Sequence, residues 1–284
     1  MAINLATKYS KKVADKFYQE SVILGKTSKE YDWDGVKSIV VHTITTQTPG
    51  SYTRSGTSRY GTPSDVQDTV QTMQVTQDKS VSLVVDKGDN VQQNMIKNAG
   101  KVVALELREQ FVPMADKYAL GVFAEGAGTG IALGAALTKQ NIADAVSAHV
   151  TALMNASASL DDAYCFIGAT DYAKLVLSPE FLGLDKLGGK ALGEGVVGTV
   201  RGLKIIPVPD AYMPTSLTRT DLTGKDAKIL TFKKQAVLCP QQIKDMKVHE
   251  DAPGISGALM EIRWLFDAFV LDAKNKGVVV QKAQ

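Results

Sequence analysis

Three histidines and two cysteines are the residues of this chain best suited to hold a metal or to form a nucleophile–base pair. His42, His149 and His249 lie outside ligand spacing of one another and of either cysteine, so no zinc-type pattern forms. Cys165 and Cys239 sit among apolar neighbours and no secretion signal precedes them, which predicts two reduced, buried thiols rather than a disulfide. His149 falls in a helical stretch and reads as a half-buried, hydrogen-bonded residue. The remaining motifs fall short one by one. Gly126-Ala127-Gly128-Thr129-Gly130 lacks the last glycine of a dinucleotide loop and follows a helix pattern instead of a strand. Gly183 to Gly188 has phosphate-loop spacing, but Gly189 stands where a lysine must reach the phosphates. Gly254-Ile255-Ser256-Gly257 is one residue short of a nucleophile elbow. Asp161-Asp162 and the Asp86/Asp89 pair read as turn or helix-end chemistry. The expectation is a protein without catalytic residues, cofactor or metal.

Composition bounds what else the chain can be. It has 284 residues, 44% hydrophobic and 22% charged, with a net charge of +2. That is too apolar for a disordered chain and too neutral for one that coats DNA by releasing counterions. No apolar run reaches the ~18 residues of a membrane helix.

The elements follow from periodicity. Tyr9, Val13 and Phe17 recur every fourth residue among lysines, a short amphipathic helix or an arm that packs on another subunit. Residues 36–64 contain no Asp or Glu and are dominated by Ser, Thr and Gly. Within them, β-branched residues from Ser38 to Thr48 predict a strand ended by Pro49-Gly50. A second strand or strand pair spans Val70 to Val85, broken at Asp78-Lys79. Between them Ser51 to Ser64 is a long polar connector whose only apolar residues are Tyr52 and Tyr60 and whose charges are Arg54 and Arg59. Such a segment cannot bury itself, and connectors of this length tend to be functional. The picture is a long hairpin with a floppy, weakly basic tip that meets a partner surface.

A helical period then runs about 22 residues from Val91, with Pro113 breaking or kinking it before a second helix, Met114 to Phe123. Glycines from Gly126 to Gly134 mark a loop, and Thr138 caps a third helix, Gln140 to Asn155. Further strands are expected at Ala163–Gly168, Thr199–Pro207, Lys228–Phe232, Met246–His249, Ala258–Leu271 and Val278–Lys282, with a Thr170-capped helix to Leu177 and a mobile glycine-rich loop over 179–198. On the long strand Glu261, Arg263 and Asp267 share one face, and Ile262, Trp264 and Phe266 the other.

This order of parts resembles the major capsid protein of tailed bacteriophages. Trp33-Asp34-Gly35-Val36-Lys37-Ser38-Ile39 looks like that family's entry into its extended loop, and Tyr52-Thr53-Arg54-Ser55-Gly56 with Arg59-Tyr60-Gly61 like the loop tip. Asp78-Lys79-Ser80 and Asp86-Lys87-Gly88-Asp89 look like the exit into the spine helix. Gly202 to Asp210 resembles an axial-domain strand, and Asp251-Ala252-Pro253-Gly254 with Phe266 to Asp272 the closing strands. The resemblance implies an α+β tailed-phage major capsid fold. Its parts would be an N-terminal arm (1–35), an extended β-hairpin loop (36–88), a peripheral domain with a long spine helix (89–160), an axial domain (161–240) and returning peripheral strands (241–284). It implies a non-enzymatic subunit that self-assembles as pentamers and hexamers of an icosahedral shell in the virion, built in the host bacterial cytoplasm. Its partners would be further copies of itself, separate scaffolding, portal and decoration proteins, and packaged double-stranded DNA contacted non-specifically, with no membrane. Inter-subunit contacts fall to Tyr52, Arg54, Arg59 and Tyr60 at the tip and to Tyr9, Val13 and Phe17 on the arm. With only about 35 residues before the loop, no fused scaffold is expected. With no lysine between Lys37 and Lys79, no lysine-mediated crosslink is expected at the tip. An encapsulin-like nanocompartment shell is the rival within the same fold, and a soluble α/β enzyme the rival outside it.

Overall fold

The structure is a computed structural model that describes residues 21–35, 37–87, 99–178, 198–219, 223–249 and 252–282. Tyr9, Val13 and Phe17, the expected helix start at 91–98 and the glycine-rich stretch 179–197 lie outside the described residues.

A six-stranded mixed sheet forms the larger body. Its strands are β5 (Thr129–Ala132), β6 (Ala163–Gly168), β7 (Gly198–Val200), β8 (Leu203–Val208), β9 (Ala227–Lys233) and β14 (Val278–Lys282), in the order β5-β14-β9-β6-β8-β7. Every residue of β6 is buried, because helices cover both faces. On one face Phe166, Leu230, Phe232, Val278 and Val280 meet Ala119, Leu120 and Phe123 of helix α2 (Val112–Glu125). Phe232 is central there, 4.9 Å from the Phe166 ring and 5.1 Å from that of Phe123. On the other face Cys165, Ile167, Ile229 and Val279 meet Ile142, Val146, Val150 and Leu153 of α3 (Ile142–Asn155), with Leu175 of α4 (Ala169–Val176). The sheet thus draws β5 and β14 from segments far in sequence from its central strands.

The second body is a three-stranded antiparallel sheet, β11 (Gln241–His249), β12 (Gly257–Phe266) and β4 (Gln77–Asp86). Its alternation is as expected: Ile262, Trp264 and Phe266 are buried against Phe111 and Ala115, while Glu261 and Arg263 are exposed. Arg263 makes a two-point ion pair with Asp78 across the β12–β4 ladder, Nε to Oδ1 at 2.9 Å. Helix α1 (Ala99–Glu106) runs through a π-helical turn, Leu107–Phe111, into α2. The expected break at Pro113 is therefore a widened turn. Proline lacks the N–H for the normal bond and its ring crowds the carbonyl four residues back, and a π turn just before it relieves both.

The third unit projects from the others. β2 (Ser38–Ile44) pairs with β3 (Asp68–Gln74) from Ser38↔Gln74 to Ile44↔Asp68, and β1 (Asp32–Asp34) flanks β2. The last small pair is β10 (Val237–Leu238) with β13 (Phe269–Val270).

Several expectations change. The first hairpin strand ends at Ile44, not Thr48, since no apolar surface lies beyond to bury it. The break in the second falls at Val75-Thr76, where the chain leaves one sheet for another. The glycine loop contains β5, which adds parallel to β14. Thr199–Pro207 is a hairpin of β7 and β8 with positive φ at Arg201 (48°) and Gly202 (91°), the geometry that suits a right-twisted two-residue turn. Neither expected threonine is a helix cap: Asn141 precedes α3, and Gly168 precedes α4 and leaves Thr170 inside it. Asn141 Oδ1 accepts from the Thr138 N–H (2.7 Å), and Asp210 accepts from both the N–H (3.1 Å) and the hydroxyl of Thr170.

Phe232→Ala removes the ring shared by three aromatic neighbours, and comparable truncations cost about 3–5 kcal/mol. Urea unfolding should show a loss of that size. Gly257→Ala should also destabilise the chain, since its Cβ would stand 2.1 Å from the Val85 carbonyl oxygen at φ +146°. Thermal melting of both variants checks this.

Candidate functional site

The feature without internal purpose is the hairpin between β2 and β3. Every residue from Ile44 through Val70 is exposed, including Ile44, Val66 and Val70, which have no apolar cover. The Ser51–Ser64 connector forms its distal part. It is more ordered than a polar tract predicts: the Thr53 N–H donates to the Arg59 carbonyl (3.0 Å), and Arg59 Nε donates to the Gly56 carbonyl (3.2 Å). Gly56 and Gly61 take positive φ of 93° and 83°, which lets this turn close. Tyr52 and Tyr60 meet edge to face at 5.1 Å and remain 52% and 92% exposed. The four tip residues expected from sequence are thus gathered in one small knob of two rings and two guanidiniums.

With the tip lying on a neighbouring subunit, the expected carboxylate partners of Arg54 and Arg59 are that neighbour's, on the spine helix (Glu106, Glu109) or on the Glu261/Asp267 face. Among the described residues neither arginine pairs with a carboxylate of its own chain. Asp267 is no surface acid at all. β12 ends at Phe266, and the break before β13 turns Asp267 inward, 2% exposed. Glu261 keeps its place on the open face but lies 3.5 Å from His249.

Asp267 instead holds the root of the projection. Its Oδ2 accepts from the N–H (2.7 Å) and hydroxyl (2.9 Å) of Thr76, the hinge between β3 and β4. Its Oδ1 accepts from the Tyr118 hydroxyl of α2 (2.9 Å) and the Ala268 N–H (2.8 Å). Burial, and then the bond to Asp267, raises the Tyr118 phenol above its ordinary value, so it stays a donor. Beside this clamp Ile39 and Met73 pack with Leu238 and Leu271, and Trp33 and Phe269 close the cluster. Gln71 adds a side-chain bridge, its Oε1 accepting from the Asp272 N–H (3.1 Å).

A second carboxylate anchors the chain where the N-terminal segment arrives. Asp116 on α2, 5% exposed, accepts from the Ser21 hydroxyl (2.7 Å) and the Val22 N–H (2.8 Å). Burial raises its pKa, and those two bonds oppose the rise. Strand period put Asp267 on the wrong face, with Glu261 and Arg263, and nothing in local periodicity marked Asp116, which sits beside Lys117. Among the described residues no group of His, Cys, Asp and Glu could hold a metal ion, and no helix is long and apolar enough to cross a membrane.

No family model and no curated protein matches this sequence. Solved structures do match, over nearly the whole chain. A chain from the capsid structure of the cyanophage P-SCSP1u is 18% identical with a TM-score of 0.75, covering 99% of this chain and 93% of that one. A chain from Mycobacterium phage Che8 is 17% identical with a TM-score of 0.71, covering 99% and 98%. A chain from the head structure of Helicobacter pylori bacteriophage KHP40 is 12% identical with a TM-score of 0.69, covering 99% and 95%. At these identities the likeness establishes the fold: a mixed α+β chain built like those phage capsid chains.

Asp267→Ala would strip two N–H groups and two hydroxyls of their acceptor, at about 1–3 kcal/mol for each group left buried and unsatisfied. The expected result is a destabilised chain whose amides from Met73 to Gln77 exchange faster than those of β6. Hydrogen exchange with mass spectrometry resolves the two regions.

Proposed function

We propose that this chain is a structural major capsid protein, a subunit that self-assembles into the icosahedral shell of a tailed phage and does no catalysis. The observation that carries the reading is the projecting hairpin, buried at its root and exposed from Ile44 through Val70, on a chain whose fold matches chains of phage particles over nearly its whole length. An exposed apolar and aromatic surface of this kind is costly on a monomer and natural where a neighbour covers it. Closed rings of identical subunits need heterologous contacts, in which one patch meets a different patch. A hairpin lying on the next subunit supplies one.

In this reading residues 1–35 act as the arm, with Tyr9, Val13 and Phe17 as its contact residues. Residues 36–88 are the extended loop, 89–160 the peripheral domain with the spine helix, 161–240 the axial domain and 241–284 the returning peripheral strands. Pentamers and hexamers of the chain form the shell, with scaffolding, portal and decoration proteins as separate partners and packaged DNA touched without sequence preference. The particle is assembled in the host cytoplasm.

The tip is the place to test it. The connector holds no acid to neutralise Arg54 and Arg59, so their charge is directed outward. Exposed ion pairs contribute only about 0–1 kcal/mol each, but a shell repeats them in every subunit. Arg54→Glu with Arg59→Glu should leave circular dichroism and melting of the unassembled chain unchanged and sharply lower particle yield in negative-stain microscopy. Normal yield would remove the tip from the contact, and a purely monomeric wild type across salt and concentration would remove the shell. Because a protonated guanidinium is a poor nucleophile, boiled particles should run as single chains on a denaturing gel. A ladder of multimers would contradict that.

A further inference from the structure

The face of the six-stranded sheet under α3 holds polar groups that the shell reading does not use. His149 projects from α3 into the cluster of Ile142, Val146, Val150 and Leu153 and is 0% exposed. Below it, strand register places Thr231 beside Val279 and Cys165, and Gln281 beside Ile229. Thr231 and Gln281 are themselves buried. Among the described residues neither ring nitrogen of His149 makes a well-formed hydrogen bond, although the Gln281 side chain lies against the ring and favours its charged form. An imidazole in such a place is stable only while neutral.

We propose that His149 is an acid trigger, a neutral ring sealed beneath α3 whose protonation lifts α3 from the sheet and uncovers Cys165. The groups facing the ring compensate a cation only in part: the Gln281 side chain favours the charged form, and burial outweighs it. Cys165 of β6 stays a thiol because burial pushes it up to about 12, and Tyr172 of α4 is likewise raised by burial. From β9 and β14 come only Thr231 and Gln281. On α4 Asp171 and Lys174 are paired with each other at 2.6 Å. A buried cation with a single neutral amide beside it and no anion is strongly disfavoured, and local opening is the cheapest escape.

The direction of the pH effect follows from burial, which holds the folded imidazole down at about 4 against its ordinary 6.5. The open form therefore binds a proton first. Full stability of the α3 face is present above pH 6.5 and is lost as pH falls towards 4, after which no more is lost to this group. A difference of this size shifts the opening equilibrium about 300-fold. Asp116, on the other side of the sheet, has the opposite sign, because its raised pKa favours the folded form on protonation. Asp78, Asp162 and Asp210 have lowered pKa values, so the stability they add is lost as pH falls through the ordinary carboxylate value towards their own.

The two thiols report the event. The unassembled full-length chain is labelled with 4,4′-dithiodipyridine, which reacts with thiols in acid, and each cysteine is read by mass spectrometry against the denatured chain. Between pH 7 and pH 4, Cys165 labelling should accelerate by about 100-fold, while Cys239, packed with the α2-side cluster, lags behind. His149→Met, neutral and of similar bulk, should abolish the acceleration while leaving labelling at pH 7 unchanged. The proposal is overturned if Cys165 in the wild type gains no more than Cys239, whatever the variant does. It is also overturned if a folded His149→Met chain keeps the acceleration.

Discussion

One buried carboxylate sets the geometry on which the rest of this protein depends. Asp267 receives donors from the hinge Thr76, from Tyr118 on α2 and from its own strand break. A carboxylate out of water is tolerable only with such a set of donors, and removing any of them leaves charge unsatisfied. The constraint runs both ways: the acid needs the three elements, and the three elements meet at one angle because the acid is there. The direction of the projecting hairpin is therefore a property of the body, not of the hairpin.

That matters because the hairpin has no core of its own beyond its root. A two-stranded ribbon is marginally stable in water at best, and here only Ile39, Met73 and Val75 at its base are buried. The tip compensates locally, through a closed turn and a pair of tyrosine rings. In the proposed docking on a neighbour, a surface shaped beforehand in this way loses less conformational entropy than a disordered loop would.

The six-stranded sheet follows a different rule. Its two faces are covered by separate helices, and its polar residues are few: Asp116 lies on one side with donors to meet it, and His149 on the other without them. The same burial raises a carboxylate and lowers an imidazole, so one body carries two opposite responses to acid.

The sequence by itself determined the order of elements and much of their burial. The alternation of Ile262, Trp264 and Phe266 against Glu261 and Arg263, the strand at Ala163–Gly168 and the unburiable polar connector are all one-dimensional patterns, and local periodicity carries them. It also carried the resemblance to capsid chains, which rests on the order of parts. The tertiary structure alone decided where chains cross between sheets and what each isolated polar residue does. Asp267 fits the strand period of Glu261 and Arg263, yet the break after Phe266 turns it inward, because its donors lie some 150 to 190 positions away in the chain. The same holds for β5, a glycine-rich stretch by composition that becomes a strand only when β14 offers it an edge. His149 has the helical position that the period predicts, but how much water reaches it depends on the sheet it is pressed against.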